Sequence, residues 1–95
     1  MGEEVEGVVI KLVLDALKPR ELSIIELSKI ISRIEGVSQV SVTVREVDAK
    51  TETIKIVIHG KDLDYDDIEE VLSESGIAVR SIDEVVVEKK TTLMP

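Results

Sequence analysis

Apolar residues run together in the first strong segment of the chain and alternate with polar residues in the next two. Val8–Leu17 is apolar on both faces apart from Lys11 and Asp15, a pattern typical of a central strand that is covered on each side. Alternation over Val40–Arg45 and again over Ile54–His59, with a turn between them, predicts a two-stranded hairpin.

Two helical stretches separate these strands. Ser23 and Glu26 form a capping box, and apolar residues then recur at helical spacing to about Glu35. Asp64 is placed to cap a second helix, because its side chain can accept hydrogen bonds from the first amides of the helix. The acidic residues that follow it fit the first turn, where the helix dipole favours negative charge. Two glycines suit the left-handed residue that closes a helix, namely Gly36 and Gly76.

The last strong segment is a strand over Ile77–Glu88, which we expect to be bent or bulged near Ser81–Glu84. We expect one domain over residues 1–95, because a chain of this length supports one hydrophobic core. The acidic lead-in Met1–Gly7 and the tail Lys89–Pro95 are predicted to be loose.

The order of elements, βαββαβ, predicts an α+β fold: a ferredoxin-like sandwich with a four-stranded antiparallel sheet and two helices on one face. We expect the first and third strands to be central and to run parallel to each other. The second face of the sheet is then left open, and function is to be sought there.

Strand parity assigns side chains to the two faces of the predicted sheet. The residues expected to point at the helices are Ile10, Leu12, Leu14, Val40, Val42, Val44, Ile54, Ile56 and Ile58. The last strand is expected to contribute Arg80, Ile82, Glu84 and Val86 to the open face if no bulge changes its register.

An apolar patch is predicted at the centre of the open face, formed by Val9, Val13, Leu17 and Val57. Contiguous apolar patches usually mark an interaction site, and a second copy of the chain is the simplest cover. The alternative is a monomer in which Lys and Arg stems cover the valines.

Composition excludes several classes of function. The net charge of −8 and the single aromatic residue, Tyr65, argue against nucleic-acid binding. The absence of cysteine excludes disulfides, thiolate metal sites and cysteine nucleophiles.

Apolar runs are too short for a membrane span, and Met1–Gly7 does not resemble a signal peptide. We therefore expect a soluble cytoplasmic protein. Abundant Glu and Lys with no Asn indicate a thermophile.

Three polar residues are candidates for a ligand site on the open face. If the first and third strands are parallel, Asp15 and His59 lie at one edge of the sheet, where Arg80 begins the last strand. Arg80 and His59 could then hold a small anion, with Asp15 as the orienting acceptor. The alternative is an Asp15–Arg80 cross-strand ion pair with His59 beside it.

Two acidic stretches are candidates for a divalent cation. A bulge could bring Asp83 and Glu84 to the same face as a two-carboxylate site at a subunit boundary. Asp62–Asp67 partly resembles a calcium loop, but the sixth position is Asp67 where Gly is needed and the twelfth is Ser73 where Glu is needed. A capped, solvated helix start explains Asp62–Asp67 as well.

Several segments resemble an archaeal family, the domain of unknown function numbered 211. They are Val13–Pro19, Ser23–Glu26, Glu35–Val37, Asp64–Tyr65 and Ser81–Val86, in this order over nearly the whole chain. The resemblance implies a ferredoxin-like fold, a cytoplasmic archaeal protein and a ring-like or other homo-oligomer. It implies no established activity. Members often have His after the Lys-Pro pair, where this chain has Arg20.

These patterns contain no catalytic constellation, no phosphate loop and no nucleophile motif, so we expect neither an enzyme nor a cofactor. The leading expectation is a self-assembling interaction or regulatory module. The alternative is a sensor of a small ligand or metal ion, with its site at a subunit interface.

Overall fold

A computed structural model of the chain describes the backbone of residues 2–94 and the side-chain surroundings of residues 4–91. The elements are β1 (Gly2–Pro19), α1 (Ile24–Ser32), β2 (Val37–Val47), β3 (Thr51–Gly60), α2 (Tyr65–Glu74) and β4 (Ala78–Met94). The four strands form one sheet in the order β2-β3-β1-β4. The α+β ferredoxin-like sandwich is therefore confirmed. No helix among the described residues is long and apolar enough to cross a membrane.

The central strands are β1 and β3, as predicted, but the prediction that they run parallel is wrong. All three neighbouring pairs are antiparallel, and β1 pairs with β3 from Lys11 opposite His59 to Pro19 opposite Thr51. The reason lies in the connections. The β2–β3 hairpin reverses the chain, so β3 must run against β2, and β2 runs in the same direction as β1. A strand inserted between β1 and β2 is therefore antiparallel to both.

The core lies between the sheet and the helices. Leu14, Ile54, Ile56 and Ile58 from the central strands have no exposed surface, and the helices contribute Leu27, Ile31, Ile68 and Leu72, which are equally buried. These positions follow the predicted two-residue and helical periods. Burial of each such side chain stabilises the fold by about 1.5–3 kcal/mol.

Local chemistry sets the start of each helix. The Ser23 hydroxyl accepts a hydrogen bond from the Glu26 amide at 3.0 Å, and the Asp64 carboxylate accepts one from the Asp66 amide at 2.9 Å. Gly36 has φ of 90°, and an added Cβ would lie 2.7 Å from the Lys61 carbonyl oxygen. Close approach of the backbone as well as left-handed geometry therefore favours glycine there.

Within residues 2–94 the two ends of the chain form a two-stranded ribbon, where the sequence predicted loose segments; Met1 and Pro95 lie outside the described residues. Gly2–Val9 of β1 pairs with Val87–Met94 of β4, while β3 pairs with β1 only from Lys11 onward. The ribbon therefore extends beyond the four-stranded part of the sheet. It lengthens the molecule to 59 × 22 × 18 Å, and the radius of gyration is 15.4 Å, whereas a compact chain of this size has about 12 Å.

Three bulges interrupt the pairing of β1 with β4. The extra residues are Ile10 in β1 and Arg80 and Asp83 in β4. The bulge predicted near Ser81–Glu84 is thus confirmed. Each extra residue shifts the alternation of side chains, because the residues on its two sides no longer follow one two-residue period. These shifts decide which residues reach the open face.

Candidate functional site

The predicted apolar patch on the open face is smaller and less exposed than expected. Val13 is only 6% exposed, and Leu17 and Val57 are half-buried. Val9 lies on the opposite face and packs against the helix-side core, because the bulge at Ile10 reverses the alternation. Its assignment to the open face is wrong. The open face therefore offers no continuous exposed apolar surface among the described residues.

Charged side chains surround Val13 on this face. The Lys11 ammonium lies 3.2 Å from a Glu84 carboxylate oxygen, and Asp15, Arg45 and Lys55 line the same shallow depression as Val13. The aliphatic stems of such residues remove apolar surface from water while their charges stay solvated. The arrangement matches the alternative in which Lys and Arg stems cover the valines.

The bulges in β4 also redistribute the residues expected on the open face. Glu84 pairs with Val13 and Val86 pairs with Lys11, so both reach the open face. Ile82 pairs with Leu14, a buried residue of the helix side, so the assignment of Ile82 to the open face is wrong.

Asp15 and Arg80 lie together, whereas His59 does not join them. The Arg80 Nε atom is 3.8 Å from the Asp15 Oδ2 atom, and both side chains are partly exposed. His59 pairs with Lys11, four residues before Asp15 in β1, which separates the two backbones by roughly 13 Å along the strand. The expected three-residue cluster depended on parallel central strands and is therefore wrong. What remains is the cross-strand ion pair.

Asp83 and Glu84 line the depression on the open face together, because Asp83 is the extra residue of a bulge. Both carboxylates have partners: the Ser81 hydroxyl donates to Asp83 at 2.7 Å, and Glu84 pairs with Lys11. Within the described range there is no cluster of three or more His, Asp or Glu side chains placed to hold a metal ion. Cation binding at Asp83 and Glu84 stays a prediction.

A cavity of about 550 Å³ lies beside His59, at the base of the ribbon. Val8 and Ile10 form its apolar wall, and the ends of β2 and β3 contribute Ser38 and His59. The Ser38 hydroxyl donates to the His59 carbonyl oxygen at 3.0 Å. Gly60 and four charged residues complete the lining, the charged ones being Lys61, Asp62, Glu88 and Lys90. We call this site the His59 cavity.

The sequence pattern did not predict the His59 cavity. Val8 and Ile10 reach it because of the bulge at Ile10, and Lys90 reaches it because the tail is paired. No periodic signal in the sequence indicates a bulge in an uninterrupted apolar run. The only sign of a ligand site in the sequence was the presence of a lone His with Lys residues nearby.

Exposed large apolar side chains lie in the two edge strands and in the elements beside them. Near one edge they are Ile82, Val85 and Val87 of β4 and Val5 of the β1 segment that pairs with β4, and they are 46–56% exposed. Ile82 and Val85 share the helix-side face with their partners Leu14 and Leu12. At the opposite edge, Val47 of β2 is 58% exposed and Ile25 of α1 is 68% exposed. We call these sets the β4 flank and the β2 flank.

Comparison with known proteins identifies the family without supplying an activity. Residues 10–93 match the domain of unknown function 211, described as "Uncharacterized ArCR". An uncharacterized protein of Methanocaldococcus jannaschii is 40% identical over 80 residues, which cover 84% of this chain and 82% of that protein. The fold carries the same order of elements that the sequence resemblance implied. The chain therefore belongs to the archaeal family of the domain of unknown function 211.

Proposed function

We propose that the chain is a non-enzymatic cytoplasmic module that assembles side by side with copies of itself into a closed ring. In this arrangement the β4 flank of one copy packs against the β2 flank of the next. The observation that carries the proposal is that four of the six exposed large apolar side chains among the described residues belong to the edge strands, Val47 to β2 and Ile82, Val85 and Val87 to β4. Apolar surface concentrated in this way usually marks an interaction site.

The two flanks differ in sequence, which favours a ring over a two-fold dimer. Contact between unlike surfaces is heterologous, and repeated heterologous contacts close into rings when the rotation per copy allows it.

Direction also supports contact between these edges. Within the chain β2 runs parallel to β1, and β4 runs against β1. A neighbouring copy in the same orientation therefore presents its β4 antiparallel to β2, as in every pair of the sheet. Both edge strands contain bulges, at Ser38 and Arg45 in β2 and at Arg80 and Asp83 in β4. Because bulges interrupt ladder pairing, the contact rests on apolar side chains more than on a continuous ladder.

Introducing a charge on each flank tests the proposal by sedimentation at micromolar concentration. The unmodified chain is expected to sediment as an assembly of several copies. Val85→Lys on the β4 flank and Ile25→Lys on the β2 flank are each expected to give monomers, since either change places an ammonium in the apolar contact. Lysine lowers the net negative charge, so dissociation could not come from added repulsion between copies.

Mixing the two variants tests the head-to-tail arrangement directly. Each variant retains one intact flank, so an equimolar mixture is expected to form dimers and to stop there. Ser41→Lys is the matched control, because Ser41 is exposed on the open face and pairs with Val57. It should leave the assembly intact. A monomeric unmodified chain, or dissociation by Ser41→Lys alone, would contradict the flank arrangement.

A further inference from the structure

We infer that the His59 cavity binds a small zwitterion with an aliphatic group, namely a free aliphatic α-amino acid. The volume of about 550 Å³ falls within the roughly 300–1,000 Å³ of small-molecule sites. Its lining combines an apolar wall with charges of both signs. The site is separate from both flanks and does not depend on the proposed assembly.

The apolar wall is formed where the ribbon leaves the four-stranded sheet. Val8 is 9% exposed and Ile10 is half-buried, and both line the cavity. An aliphatic group placed against them would be removed from water, a gain of about 25 cal/mol for each Å² buried. This wall favours a ligand with a branched hydrocarbon side chain over one that is polar throughout.

The charges in the cavity favour a ligand that carries both signs. Lys61 and Lys90 contribute two positive charges, and Asp62 and Glu88 contribute two negative charges. The three ion pairs among the described side chains engage none of these four residues. A simple anion would meet the lysines but also the two carboxylates. An α-amino acid satisfies both sets, its carboxylate toward the lysines and its ammonium toward the acids.

The loop that carries Lys61 and Asp62 is held in place by backbone contacts. The Lys61 amide donates to the Gly36 carbonyl oxygen and the Leu63 amide donates to the Val9 carbonyl oxygen, each at 2.8 Å. Between them Asp62 has φ of 51°, an uncommon conformation for a residue other than glycine. The loop is thus tied to β1 and to the segment after α1, and the charged wall exists before a ligand arrives.

Calorimetric titration with leucine and its truncated analogues tests the inference. L-Leucine is expected to bind saturably and to raise the melting temperature. Isocaproate, which lacks the ammonium, and isopentylamine, which lacks the carboxylate, are each expected to bind at least tenfold more weakly. Glycine, which lacks the aliphatic group, should also bind at least tenfold more weakly, because it leaves Val8 and Ile10 uncovered.

Two charge-neutralising variants link any binding to this cavity. Lys61→Gln and Glu88→Gln are each expected to weaken leucine binding at least tenfold. Lys55→Gln and Glu46→Gln are the matched controls, since both residues lie outside the cavity, and they should bind leucine as the unmodified chain does. Melting curves without ligand show that each variant is folded.

Three results would overturn the inference. The first is the absence of binding for leucine, isoleucine and valine at millimolar concentration. The second is equal binding of leucine and isocaproate, which would indicate a simple anion site. The third is leucine binding that Lys61→Gln and Glu88→Gln leave unchanged. Because binding is measured on the unmodified assembly and again on Val85→Lys, failure here is distinguishable from failure of the flank arrangement.

Discussion

The two faces of the sheet remove apolar surface from water in different ways. On the helix side, a second layer buries Ile54, Ile56 and Ile58 completely. On the open side, Val13 reaches 6% exposure with no second layer, among charged side chains such as Lys11 and Glu84. An apolar residue on an open sheet face therefore does not by itself indicate a partner. Most of the exposed large apolar side chains belong to the edge strands instead.

Truncation at adjacent residues of β3 should show the largest difference in stability between the two faces. Ile56→Ala is expected to lower the free energy of unfolding by about 2–5 kcal/mol, because it leaves a cavity in a packed core. Val57→Ala, on the open face, is expected to cost about 1 kcal/mol or less, since Val57 is half-buried and water can fill the space. Urea denaturation at one protein concentration measures both. Equal losses would show that the open face is as tightly packed as the core.

Removal of a charge partner should likewise cost more unfolding free energy on the helix side of the sheet than on the open side. The Lys18 side chain is 1% exposed, and its ammonium lies 2.8 Å from a Glu52 carboxylate oxygen and also donates to the Pro19 and Leu22 carbonyl oxygens. Glu52→Gln is expected to cost about 1–3 kcal/mol of unfolding free energy, because a buried charge loses its counter-charge.

Glu84→Gln is the matched substitution on the open face. The side chains of Lys11 and Glu84 are 29% and 50% exposed. We therefore expect Glu84→Gln to lower the free energy of unfolding by only about 0–1 kcal/mol. The same denaturation measurement applies. A loss at Glu84 as large as the loss at Glu52 would mean that the open face is less hydrated than its exposure indicates.

The smallest expected effect concerns Tyr65, at the start of α2. Partial burial, followed by the charge of Glu69 and a hydrogen bond from the Tyr65 hydroxyl to Glu69 at 3.3 Å, raises the pKa of Tyr65 above its ordinary value of 10.0. The neutral phenol is thus favoured in the folded state. Its contribution to stability is full below pH 10.0 and is lost as the pH rises through the folded-state pKa.

Absorbance at 295 nm follows this titration without interference, because Tyr65 is the sole aromatic residue of the chain. The midpoint is expected above 10.0 in the unmodified chain and closer to 10.0 in Glu69→Gln. Burial persists in that variant, so a part of the shift should remain. A midpoint that Glu69→Gln leaves unchanged would assign the shift to burial and to the charge of Asp66.

Local patterns predicted the elements and their buried faces well. The capping residues Ser23 and Asp64 and the alternation of Ile54, Ile56 and Ile58 act over a few residues, so their effects are visible in the sequence itself. The bulge in β4 was also predicted. The long strand β1, in contrast, was predicted to begin at Val8 and begins at Gly2, because residues with no apolar pattern of their own pair with the end of β4.

The candidate site was harder to predict, because it depends on which strands meet and in which direction. Asp15 was correctly placed with Arg80 but wrongly with His59, since antiparallel central strands put His59 toward the opposite end of the sheet. Val9 was assigned to the wrong face because a single inserted residue, Ile10, reverses the alternation. The alternation of side chains along one strand shows neither the direction of its neighbour nor the presence of a bulge.

The six elements, the aliphatic core and the ferredoxin-like order could be predicted from the sequence, because they follow from short-range periodicity and capping. The direction of β3 relative to β1, the ribbon formed by the two ends of the chain and the bulge beside the His59 cavity became visible in the folded chain. These features depend on pairing between residues up to 92 positions apart, Gly2 opposite Met94. Such contacts form where the backbones of distant segments satisfy each other's hydrogen bonds, and side-chain periodicity does not record them.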